Sequence, residues 1–149
     1  MTTREALYDS LSKRRVLESV HQAIPHEIGD RNNLWIDVET ALGEVLGNSV
    51  KQKEVVEVEA DVEEDYFLVI LDSESIRKNN DTLSLLLGHV QACIDHGTDC
   101  FFFFDEHGLG LYLLARLTEE SCFINGKLYL RFSRTKEPQK RVLNMPIYS

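Results

Sequence analysis

The chain reads as one α+β domain with two N-terminal helices, a mixed β-sheet containing a parallel βαβ crossover, and a C-terminal antiparallel hairpin. Three observations predict this. Apolar residues at helical spacing come first; residues 54–75 then switch to an alternating and next to a continuous apolar pattern; and Asn125-Gly126 separates two short strand-like runs near the end. At 149 residues the chain has the length of one ordinary domain, so residues 1–149 are taken together: a helical part over 1–50, a sheet with one helix over 53–134, and a tail over 135–149.

Thr2-Thr3-Arg4-Glu5 has the spacing of a capping box, and Leu7, Leu11, Leu17, Val20 and Ile24 follow it at helical intervals until Pro25. A first helix to about Ile24 is expected. Leu34, Val38, Ala41, Leu42, Val45 and Leu46 predict a second, closed by Gly47-Asn48. The period then changes: Val56, Val58, Ala60 and Val62 alternate with Glu57, Glu59, Asp61 and Glu63, the pattern of a half-buried strand with an acidic outer face. Residues 66–71 show no alternation, which predicts a strand covered on both faces, joined to the first by a tight turn at Glu63-Glu64-Asp65. Asp81 is placed to cap a third helix ending at Gly97, after which residues 100–104, CFFFF, read as another buried strand. Strand, helix and strand in that order predict the parallel crossover. LGLYLLARL reads as a further strand, and Asn125-Gly126 as the turn of the final hairpin.

Composition narrows the function classes. A hydrophobic share of 43% with 28% charged residues fits a globular protein rather than a disordered one. The apolar runs are far shorter than the roughly 20 residues that cross a bilayer, and the first residues are charged rather than signal-like, so a soluble cytoplasmic protein is expected. Cys93, Cys100 and Cys122 each border apolar segments and suit a reducing compartment. The formal charge of −9 disfavours binding to nucleic acid through phosphates, except through the basic C-terminal segment that includes Arg131, Arg134, Lys136, Lys140 and Arg141.

The acids are the main candidates for a site. Glu57, Glu59, Asp61 and Glu63 form a ladder that either faces solvent beside the basic strand bearing Lys127 and Arg131, or meets a protein partner with a basic surface. Asp72 and Asp105 end the two buried apolar runs; if those strands are parallel, both carboxylates lie at the sheet edge where α/β ligands bind and where a divalent cation can be shared. With Asp61 and Glu74 they make a catalytic set for a metal-dependent phosphodiesterase or nuclease using Mg²⁺ or Mn²⁺.

Over residues 34–105 the order of helix, acidic strand, buried strand, helix and buried strand resembles the core of restriction-endonuclease-like domains. That resemblance implies Glu44 as the helix acid, Asp61 as the first-strand acid, and Asp72-Ser73-Glu74 in the place of the family's Glu-x-Lys. No Lys stands there, the nearest being Lys78, so the resemblance implies a degenerate, non-cleaving version.

Other constellations carry less. His89, Cys93, His96 and Cys100 have zinc-like spacing, but His89 and His96 fall on the side of the third helix away from its apolar stripe. His107 stands beside Asp105 and Glu106 in a turn, and no Gly-x-Ser-x-Gly elbow or glycine-rich phosphate loop is present. Trp35 is expected to pack in the core. Missing catalytic motifs and segregated charge together predict a non-enzymatic protein-binding or regulatory factor, such as an inhibitor, immunity or assembly protein, with no cofactor and with homo-oligomers allowed. The metal-dependent enzyme, and a structural assembly component of virion type, are the alternatives.

Overall fold

The computed structural model describes residues 1–25, 31–97 and 108–134. In chain order the elements are β1 (Thr2–Ala6), α1 (Ser10–Ala23), α2 (Arg31–Gln52), β2 (Val55–Val62), β3 (Tyr66–Ser73), α3 (Glu74–Lys78), α4 (Asn80–His96), α5 (Gly108–Leu117), β4 (Glu120–Ile124) and β5 (Lys127–Ser133). The strands form one sheet in the order β1-β2-β3-β5-β4, and every neighbouring pair is antiparallel. The α+β class holds.

The parallel crossover does not. The strand that pairs with β3 across the intervening helices is β5, and it runs antiparallel. Residues 100–104, on which the crossover depended, lie outside the described residues, as does Asp105. LGLYLLARL, expected as a strand, is α5. Leu111, Tyr112, Leu113, Leu114 and Leu117 are all buried, and a helix covered on nearly every side gives the same unbroken apolar run as a buried strand.

A second correction falls at the N-terminus. Thr2–Ala6 is an edge strand, with Arg4 opposite Glu57 and Thr2 opposite Glu59. The capping box instead lies at Asp9 and Ser12: the Asp9 carboxylate accepts from the Ser12 N–H at 2.9 Å, and the Asp9 N–H donates to Ser12 Oγ at 3.1 Å. The helix that follows ends before Pro25, as expected. α2 runs through Gly47-Asn48 and stops at Lys53, whose φ of 52° is left-handed. Gly97, with φ 67°, closes α4 as predicted, while Asp81 sits inside the first turn and Asn79 takes the cap position. The short α3 had no counterpart in the sequence reading.

Both hairpins stand where their turn residues put them. The Glu63 N–H donates to the Tyr66 carbonyl at 2.8 Å, and Asn125 and Gly126 take φ 52° and 80°. Gly126 has a further constraint: a Cβ there would come within 2.9 Å of Arg77 Cγ and 3.3 Å of Arg77 Cα. Its N–H donates to Asn80 Oδ1 at 3.0 Å, which fastens the β4–β5 turn to the start of α4.

Helices cover one face of the sheet, and no described helix covers the other. Val56, Val58, Phe67, Val69, Leu71, Leu128, Leu130 and Phe132 point into a single core shared with the helices and are at most 1% exposed. Burying side chains of this size contributes about 1.5–3 kcal/mol each, and that burial holds the helix layer on the sheet. The outward residues of β3, including Leu68 and Ile70, are only half-buried, in place of the two-sided cover expected for residues 66–71.

Among the described residues no helix is long and apolar enough to cross a membrane.

The Asp9 cap makes stability depend on pH. The Ser12 backbone N–H, and after it the Ser12 hydroxyl, hold the Asp9 carboxyl below its ordinary value. Protons therefore bind the unfolded chain first, and the stabilisation is complete above about pH 4 and lost as pH falls through the lowered folded value. Wild type is expected to have a higher thermal midpoint than Asp9→Asn at neutral pH, and the gap is expected to close on acidification. A gap that is constant with pH would contradict the ionised cap.

Candidate functional site

A groove of about 840 Å³ lies at the end of the sheet where β3 gives way to α3. Its walls come from α2 (Glu44, Asn48), the α2–β2 junction (Lys53, Glu54), α4 (Leu83, Leu86) and the beginning of α5 (Gly110, Leu111, Leu114). Leu128 and Phe123 bring the inner face of the sheet into it, while Arg4, Glu57 and Asp72 bring in the end of the outer face.

Local sequence explains how each wall is held. Glu44 and Asn48 are both exposed and stand one helical turn apart, opposite the buried stripe of Leu42, Leu46 and Ser49. Lys53 turns the chain sharply, so Glu54 faces back toward the helix it has just left. Its carboxylate accepts three hydrogen bonds: from Ser49 Oγ at 2.9 Å, from Ser75 Oγ at 2.7 Å and from the Ser75 backbone N–H at 3.1 Å. This clamp joins the end of α2 to the start of α3. Ser73 then caps α3 by accepting from the Ile76 N–H at 3.3 Å.

Charge is paired along the mouth. Arg77 donates to and pairs with Asp72, and Arg4 lies 3.5 Å from Glu57. Lys78 is 4.0 Å from Glu74. The described start of α5 has no acid in its first turn, and a helix amino end carries a partial positive charge. Chemically, the groove offers carboxylate and amide oxygens, several cations and an apolar floor in one place.

The sequence-predicted residues divide between this groove and the outer sheet face. Asp72, Glu74, Glu44 and Glu57 line the groove. Glu59, Asp61 and Glu63 do not; they continue along β2 and its turn away from it. Asp61 lies opposite Leu68, whereas Glu57 lies opposite Asp72, so Asp61 and Asp72 are separated by about four residues of strand, roughly 13 Å. The proposed catalytic quartet is thus not gathered by its described members. Among the described residues no group of three or more His, Cys, Asp or Glu is arranged to hold a metal ion.

In the ladder, Glu63 accepts from Arg131 Nε at 2.9 Å, and Arg131 also reaches Glu120 at 2.7 Å. Those hydrogen bonds, Glu120 first, raise the Arg131 pKa above its already high value. Asp61 is 3.9 Å from the terminal ammonium. Burial pushes the Cys122 thiol up, with Glu120 adding to the effect and Arg131 opposing it. His89 and His96 are exposed on α4, Cys93 packs against the core, and Cys100 and His107 lie outside the described residues. Trp35 packs against the core and stacks on His21 with ring centroids 4.3 Å apart.

Sequence reasoning missed Asn48, Glu54 and Ser75. Asn48 sits where a helix was expected to end, and Glu54 was one acid among many; only the change of direction at Lys53 gives it a role.

Glu54→Ala removes three hydrogen bonds and leaves the Ser75 N–H without its acceptor, a loss of about 2–3 kcal/mol. Urea denaturation measures it, and amide exchange at Ser75 and Ile76 is expected to accelerate. A stability within error of wild type would show the clamp to be dispensable.

No protein-family model matches the chain, and a search of curated proteins finds no match.

Proposed function

We propose that this chain is a ligand-binding protein whose groove takes a small phosphorylated molecule of nucleotide size. The observation that carries the reading is the groove itself: about 840 Å³, with an apolar wall and convergent polar groups. Small-molecule sites typically have this build, at roughly 300–1,000 Å³. Leu83, Leu86, Leu111 and Leu114 suit a flat apolar ring. Lys53, Arg77 and Lys78, with the amino end of α5, suit an anionic tail. Glu44 and Asn48, one turn apart, suit a Mg²⁺ ion carried by the phosphates, since such an ion commonly takes only one or two ligands from protein.

Calorimetric titration of the full chain with ATP, with and without Mg²⁺, tests this against inorganic phosphate as control. Micromolar binding is expected, weakened about tenfold or more by Asn48→Ala, which is about 1.4 kcal/mol. No heat at millimolar nucleotide would sink the reading. Heat from Mn²⁺ alone, lost in Asp72→Ala, would instead favour the metal-dependent phosphodiesterase.

A second reading rests on a different observation, the sheet face that no described helix covers. It takes the chain as a protein-binding or regulatory factor using Glu57, Glu59, Asp61 and Glu63, and it is compatible with a ligand in the groove. Reversing the charge of Glu57, Glu59 and Asp61 together is expected to abolish retention of a protein partner on the immobilised chain while the circular dichroism spectrum stays native. Unchanged retention would remove the acidic ladder from the account.

A further inference from the structure

We infer that the open face of the sheet is a two-fold interface between two copies of this chain, an inference that rests on the second reading above and names its partner. Three observations converge on it. The centre of the face is apolar and no described helix covers it: Leu68 and Ile70 on β3 and Tyr129 on β5 are half-buried, and Ile124 on β4 is 49% exposed. Soluble proteins seldom leave such a central apolar patch without use.

The charge on either side of that centre is segregated by sign. The strand register puts Glu57, Glu59 and Asp61 in one column on β2, and Lys127, Tyr129 and Arg131 in another on β5. The two columns flank β3 symmetrically, each about 4.8 Å from it. Rows are shared across all three strands: Glu57, Asp72 and Lys127 in one; Glu59, Ile70 and Tyr129 in the next; Asp61, Leu68 and Arg131 in the third.

This pattern is self-complementary for one choice of axis. A two-fold axis lying between two stacked faces and running along β3 places β2 of one copy over β5 of the other, and the reverse. Glu57 then meets Lys127, Glu59 meets Tyr129 and Asp61 meets Arg131, while Ile70, Leu68 and Asp72 meet their own copies, Asp72 with its Arg77 partner beside it. An axis across the strands would instead stack the whole acidic column of β2 on itself. An isologous contact needs this reciprocity, in which residue i meets j and j meets i. Aligned face-to-face packing is also the common mode for twisted sheets.

Sedimentation equilibrium on the full chain tests the inference. Wild type is expected to dimerise, and Glu57→Lys and Lys127→Glu are each expected to weaken dimerisation at least tenfold, because each places like charges together twice. Mixing the two variants in equal amounts is expected to restore association to near the wild-type constant, since both contacts become attractive again. Ile70→Arg is expected to abolish it in every background. A wild type that stays monomeric at several hundred micromolar overturns the second copy as partner and leaves the face for another protein. A wild-type dimer untouched by all three substitutions overturns the inference and the use of this face together.

Discussion

The register of β3 between β2 and β5 is the constraint on which the rest of the molecule depends. β3 is the central strand of the described sheet, paired with its hairpin partner β2 on one side and with the sequence-distant β5 on the other, and its inward residues Phe67, Val69 and Leu71 are fully buried. A slip of one residue would turn those three into solvent and drive Leu68, Ile70 and Asp72 into the core. The Asp72 carboxylate alone makes that alternative costly, because a charge buried without its partner costs several kcal/mol. Once the register is fixed, Asp72 emerges at the end of the strand within reach of Arg77, Ser73 is free to cap α3, and the groove opens between that end and the helices. The outward columns of charge follow from the same register.

Features set by local chemistry were legible in the sequence. Asn125-Gly126 and Gly97 take backbone conformations that few residues accept, and each stands where those residues put it, while the acidic turn at residues 63–65 falls where a short polar run parts two apolar strands. Features decided by tertiary cover were not. α5 has no polar side to reveal its period, so its leucines read equally well as a strand. β1 carries capping residues that a helix would use, yet the unpaired edge of β2 offers its backbone five residues of ladder, and the capping role passes to Asp9 and Ser12. The outward residues of β3 are apolar, and from the sequence that implied cover on both sides; only the fold shows that no described helix supplies the second cover.

The candidate site was legible in its chemistry and not in its assembly. Asp72 stood out as the acid that ends an apolar run, Glu44 and Glu74 as acids in places the family resemblance implied, and all three line the groove. The expectation that such acids meet around a metal depended on parallel strands bringing two carboxyl ends to one edge. In an antiparallel sheet consecutive strands end at opposite edges, so Asp61 and Asp72 are carried apart by the same pairing that builds the sheet. What converges instead is oxygen from α2 with cations from the α2–β2 turn and α3, a combination spread over more than thirty residues with no fixed spacing to betray it.

A sheet can meet another chain by its edges or by its open face, and the two routes are not equally available here. The edge strands β1 and β4 are each five residues long, and both carry charge, Arg4 and Glu5 on one and Glu120 on the other. Short charged edges discourage strand addition. The face has the opposite character, an apolar centre between columns of opposite sign. Its ion pairs, such as Arg131 with Glu63 and Glu120, are largely exposed and contribute little to folding, about 0–1 kcal/mol each. Arg131 is held in place by them, which reduces the side-chain entropy that a contact on this face would otherwise cost. A surface that stabilises the fold so little, yet keeps its charges so ordered, is better matched to association than to folding.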